Sequence, residues 1–314
     1  MSQELFYTSA RKGLKPGTVG FCTVAMTRDL PASIAENLES LSGYRHLFGL
    51  DDPQNRQNPT NFGHWILSSR GRSLHVLGRI GPAPADYSGR TNKIAHYLVL
   101  NSDELPDGGP AWLLRQRGLM QDAWSGEPSW LDHGRNIPRG DRPAAQCNLW
   151  KAAAGDAGWA GMLVQNFLEQ PDLPVYVLCR PGDDVLGLFE EALALLPVQK
   201  RWEVTFSTYF NGLPIAGMRC HWRGVYVGTQ QAEEIGARSL IIDLTRAPKA
   251  ISASRYVDAA RNGVSVEIAP AAVAVAKQAV SKAKLQPVAA PVGGGFRVED
   301  LELSDQPRES GSVV

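Results

Sequence analysis

The sequence predicts an α+β protein with a mainly antiparallel or mixed sheet and several packed helices, not a doubly wound parallel sheet. Strand-like runs come in hairpin-like pairs, ELFYTSA with TVGFCTVAM and HWILSS with SLHVLGRI. Helical stripes do not alternate strictly with strands, as a parallel fold would need. The chain has 314 residues, 43% of them hydrophobic, enough to bury a sizeable core.

The elements follow in order. Residues 4–10 and 18–26 read as two strands joined by a turn rich in Gly and Lys. A helix then begins near Pro31, with Ser33 and Glu36 at capping-box spacing and Ile34, Leu38 and Leu41 on one face. DDPQNRQNPTN is a polar loop. After the second hairpin, KIAHYLVLN (residues 93–101) is a strand with Ile94, His96, Leu98 and Leu100 on one face. AWLLRQRGL is a short helix, and residues 121–148 read as loop.

From Gly155 the signals sharpen. Asp156 caps a helix carrying Trp159, Met162, Leu163 and Phe167. PVYVLCR is apolar on both faces, which fits a central strand. Asp183 or Asp184 caps a helix whose stripe is Val185, Leu188, Phe189, Ala192, Leu195 and Leu196. WEVTFSTYF, RCHWRGVYV and SLIIDLT are strands, and residues 256–261 a short helix closed by Asn262 and Gly263. A folded region over 1–265 is expected, with a split into two subdomains near 105–150 as the alternative. Residues 266–314 read as an Ala-, Pro- and Gly-rich linker, with one helix over 270–285 and disorder from 287. The last residues, QPRESGSVV, read as the interior of a linker rather than a natural end.

Composition excludes several classes. Lys plus Arg and Asp plus Glu are both 32, so no overall field draws nucleic acid or acidic lipid, and no nucleic-acid partner is expected. The four cysteines are dispersed and read as reduced, buried thiols. The N-terminus has no apolar signal segment, and no run approaches the roughly 18 apolar residues of a membrane span. The expected compartment is the cytoplasm. There is no GxxxxGK[ST], no GxGxxG after a strand, no HExxH and no GxSxG. The six histidines lack metal-ligand spacing, so neither cofactor nor metal is expected.

One stretch concentrates polar chemistry, DYSGRTNKIAHYLVL at residues 86–100. Gly89 permits a tight turn after Asp86. Arg90 offers a planar fork for an anion, Lys93 a second cation, and Asn92 a cap or a polar reader. His96 stands on the apolar side of its strand. These five side chains are the candidate ligand or partner site. The plainer reading is that Arg90 pairs with Asp86, Asn92 satisfies loop amides and His96 is a satisfied core histidine. Cys22 reads as an inert buried thiol, not a nucleophile. Thr205, Ser207 and Tyr209 read as the outer face of a half-buried strand. The tryptophans at 112, 124, 130, 150 and 159 read as core and cleft packing.

Four blocks carry a resemblance: FYTSARKGLKPGTVGFCTVAMTRDLPASIAENLESLSGYRHL, DYSGRTNKIAHYLVL, GDAGWAGML and RWEVTFSTYF. In this order, over residues 3–265, they resemble the type-two N-terminal domain of bacterial, planctomycete-type GTPase-associated proteins. The resemblance implies work beside a GTPase and further components of a conflict, or defence-type, system. It brings no catalytic residues, and the absent P-loop fits a partner of a GTPase. The expected function is a non-catalytic interaction or regulatory module. The alternative is a hydrolase or transferase using His96 with a nearby hydroxyl or thiol.

Overall fold

The strand-forming runs pair into one mixed sheet, seen in a computed structural model that describes residues 2–69, 71–236, 239–246 and 250–267. The expected helix at 270–285 and the tail beyond it lie outside the described residues. β1 (Gln3–Ala10) and β2 (Gly20–Thr27) form the first hairpin. β3 (Asn61–Ser69), β4 (Arg72–Ala83) and β5 (Asn92–Leu100) form an antiparallel meander. β1 closes onto β5, again antiparallel. β6 (Ser129–Leu131), a strand inside the expected loop, runs parallel to β2.

The second half is parallel. β7 (Val175–Cys179), β8 (Phe206–Ser207), β9 (Trp222–Tyr226) and β10 (Leu240–Asp243) give the full order β10-β7-β9-β8-β3-β4-β5-β1-β2-β6. The β7–β9, β8–β9 and β7–β10 ladders are parallel, whereas β8 meets β3 antiparallel.

Eight helices are assigned among the described residues. α1 (Ala32–Leu41) buries Ile34, Ala35, Leu38 and Leu41. They join Leu5, Trp65, Val76, Ile80 and Tyr97 in a core on one sheet face. α2 (Gly109–Leu114), α3 (Asn148–Ala154), α4 (Gly158–Glu169) and α5 (Val185–Ala194) contribute to a larger core with Leu77 and Leu98, on the opposite face. With both faces covered, every residue of β5 except Lys93 is buried. α6 (Val198–Arg201), α7 (Gln230–Glu233) and α8 (Arg255–Asn262) are short. No described helix is long and apolar enough to cross a membrane.

Two local expectations change. Ser33 does not cap α1, because the helix starts at Ala32 and Pro31 is its N-cap. The carbonyl of Pro31, with φ −60° and extended ψ, accepts from both Ile34 and Ala35 N–H at 3.0 Å. The row Thr205, Ser207, Tyr209 is not an outer face; all three are buried. The strand there has only two residues, flanked by β3 and β9. The Ser207 hydroxyl donates to Asn61 Oδ1 (2.9 Å), and that of Tyr209 to the Arg45 carbonyl (2.8 Å).

Candidate functional site

The β4–β5 connection is a turn organised by one carboxylate. Asp86 Oδ1 accepts from Ser88 N–H (2.8 Å), the Ser88 hydroxyl (2.6 Å) and Arg90 N–H (3.1 Å). Its Oδ2 accepts from the Ser9 hydroxyl (2.9 Å), which ties the turn to β1. The Ser88 hydroxyl foremost, with the other donors, holds this carboxyl far below the usual carboxylate range. Gly89 takes φ +80°, where a β-carbon would be strained. Arg90 donates from Nε to the Ser88 hydroxyl and keeps Nη2 3.6 Å from Asp86 Oδ2. Its side chain is 70% exposed.

Asn92 is a structural knot. Its Oδ1 accepts from the N–H of Ser9 (3.2 Å) and of Lys93 (2.8 Å) and from the Thr8 hydroxyl (3.3 Å). Lys93 alternates to the other sheet face. Its ammonium lies 4.9 Å from the Phe21 ring centroid and 5.9 Å from that of Tyr7. Desolvation lowers its pKa.

His96 is fully buried and stacks on Phe6, centroids 4.2 Å apart. Gln121 N–H donates to its Nδ1 (2.9 Å). Nδ1 is therefore unprotonated, and the neutral ring carries its proton on Nε2. That proton points at Glu4 Oε2, 3.3 Å away. Glu4 Oε1 pairs with Arg135 Nε at 3.1 Å. Burial lowers the His96 pKa against the pull of Glu4, so the ring stays neutral at neutral pH. Glu4 and Arg135 were not foreseen in the sequence. The only signal was an acid placed directly before the apolar pair Leu5 and Phe6 in a strand. Arg135 reaches it because the neighbouring loop lies against the start of β1; a β-carbon on Gly134 would sit 1.9 Å from the Ser2 carbonyl oxygen.

The five side chains thus divide. Asp86 and Arg90 share one turn, Asn92 and His96 point to one sheet face, and Lys93 points to the other. Around the turn a surface patch forms that periodicity did not reveal. The Arg11 guanidinium lies 5.4 Å over the Tyr87 ring. Tyr87 (43%), Phe21 (47%) and Val19 (60%) are exposed large apolar side chains.

Residues 1–137 match the family model of GTPase-associated protein 1, N-terminal domain type 2. This part of the chain is similar to such a domain. Residues 147–246 match the middle domain of GTPase-associated protein 1. No curated protein and no solved structure matches the chain. The N-terminal domain supplies β1 to β6 and the whole stretch 86–100. The blocks GDAGWAGML and RWEVTFSTYF fall in the stretch matched by the middle domain, which supplies β7 to β10.

The two domains share the sheet through a two-pair ladder, Gly63 with Ser207 and His64 with Phe206. Histidines flank it. His64 Nδ1–H donates to the Val204 carbonyl across the joint (2.7 Å), and its Nε2 accepts from His75 Nδ1 (3.1 Å). Trp202 packs edge-on against both rings. All four cysteines are free and buried. Cys22 touches the Gly20 carbonyl rather than an imidazole. Among the described residues no cluster of three or more His, Cys, Asp or Glu could hold a metal ion.

Proposed function

We propose that this chain is a non-catalytic docking module of a multi-component bacterial conflict system, acting beside a GTPase in the cytoplasm. One observation carries the reading. The acid–base groups of residues 86–96 are engaged inside the fold, while Arg90 and Tyr87 stay at the surface. Asp86 shapes the turn, Asn92 and His96 hold the strand beneath it, and Lys93 supports Phe21. Arg90, Tyr87, Arg11 and Phe21 then present the Arg-and-aromatic composition found at interface hot spots. An acidic surface on the GTPase complements it. The family description, GTPase-associated, agrees with such a partner.

The test is affinity capture from the source cell with the whole chain as bait, comparing wild type with Tyr87→Ala/Arg90→Glu. Circular dichroism must first show that the variant folds. Capture of a GTPase by wild type and its loss with the variant is expected. Equal capture by both would move the contact elsewhere on the chain.

A further inference from the structure

A cleft of about 500 Å³ opens where the two domains meet, at the amino-terminal ends of β8 and β9. It lies within the range of small-molecule sites, and domain junctions are favoured places for them. Its apolar lining is Ile66 from β3, Phe167 and Leu168 from α4, and Met218. Thr205, Lys200, Glu203, Arg219 and His221 supply the polar part, the Glu203 carboxylate being held by Lys200.

His221 is the built element. The backbone N–H of Thr205 donates to its Nδ1 at 2.9 Å, and the Thr205 hydroxyl stands at the same distance. Nδ1 therefore carries no proton, and Nε2 of the neutral ring carries one. The residue is only 8% exposed and lines the cleft, yet no described residue accepts from Nε2. Nε2 keeps contact with the solvent of the cleft, so this edge of the ring is open to a ligand. Phe167 packs edge-on against the ring, centroids 5.0 Å apart, and fixes its plane.

Two cations stand at the rim. Lys200 Nζ reaches Glu203 (2.8 Å), and Arg219 Nη2 reaches Asp172 Oδ1 (3.1 Å). Arg219 and Asp172 are 66% and 78% exposed, so their pair is weak and gives way to a better-placed anion.

We infer that this cleft binds a small amphipathic carboxylate, its head accepting from His221 Nε2–H and Arg219 and its apolar body lying on Ile66, Phe167, Leu168 and Met218. This goes beyond the docking role, which uses the turn at 86–90 at a different place on the sheet.

The probe is octanoate, titrated into the whole chain at pH 7 and followed by calorimetry and by the imidazole ¹H–¹⁵N signals, with octanol as the uncharged control. Saturable one-to-one binding of octanoate is expected, with a shift of the His221 signal and binding of octanol weaker by about tenfold or more. His221→Asn keeps an acceptor for Thr205 N–H, removes the Nε2 donor, and lowers octanoate affinity by about tenfold. Arg219→Gln, on an exposed residue, weakens it severalfold and serves if the first variant does not fold. Equal binding of octanol, unchanged affinity in either folded variant, or no binding of octanoate overturns the assignment. Loss of GTPase capture in the turn variant leaves it untouched.

Discussion

His96 and Glu4 face each other on adjacent antiparallel strands, imidazole Nε2 to carboxylate Oε2 at 3.3 Å, with both side chains essentially out of solvent. Through Glu4 the pair reaches Arg135, and through Nδ1 it reaches the backbone of Gln121. His96→Ala leaves two partners, the Glu4 carboxylate and the Gln121 N–H, without their hydrogen bonds and opens a void against Phe6. It should cost about 2–4 kcal/mol. Glu4→Gln keeps an acceptor for His96 but strips the charge that faces Arg135, and should cost about 1–2 kcal/mol. Urea midpoints of both variants check the order. A His96→Ala variant as stable as wild type would break the structural account of this histidine.

The histidines make the fold acid-sensitive. Burial lowers the pKa of His64, and it pushes those of His75 and His221 down to about 4 from an ordinary 6.5. Above pH 6.5 the ring is neutral folded or unfolded, and the full stability is present. Between 6.5 and about 4 the unfolded chain takes up protons that the folded chain refuses. Stability therefore falls with falling pH, by up to about 1.4 kcal/mol per pH unit for each ring. Denaturant midpoints should be level from pH 8 to 7 and decline below 6.5. His75→Asn retains an N–H donor toward His64 and removes one titrating ring, so its decline should be shallower.

Gly161 sets the approach of α4 to α8. A β-carbon there would lie 2.2 Å from the Tyr256 carbonyl oxygen. Helix propensity alone predicts that Gly161→Ala gains about 1 kcal/mol. The close approach predicts the opposite, a loss of about 1–3 kcal/mol. A lower melting temperature supports the packing argument, and a higher one refutes it.

The thiols should be chemically silent in the native state. Burial raises the pKa of Cys22 and pushes those of Cys147 and Cys220 up to about 12. Little thiolate exists at pH 8, and reaction with a disulfide reagent should wait on unfolding. In denaturant all four should react. Fast native labelling of Cys22 would reopen its reading as a nucleophile.

Much of the fold was legible because its signals are local. The stripe of Ile34, Leu38 and Leu41 marks α1, and Asp184 accepts from Gly187 N–H as the N-cap of α5. β6 was not legible, since SWL has three residues and no period of its own. The buried row at 205–209 was misread for a similar reason: alternation shows that two faces differ, not which elements will cover them. The turn at 86–90 was legible in its polarity, but its self-satisfied hydrogen bonds depend on Ser9, far away in sequence.

The sequence by itself determined an α+β chain with paired strands, helices with apolar stripes and a polar stretch before β5. Those properties follow from periodicity and from short-range side-chain to backbone bonds. Tertiary structure alone decided that Glu4 meets His96, 92 residues later, and that Val204 meets His64, 140 residues earlier. Such pairings are set by strand order and register. Neither leaves a trace in the spacing of nearby residues.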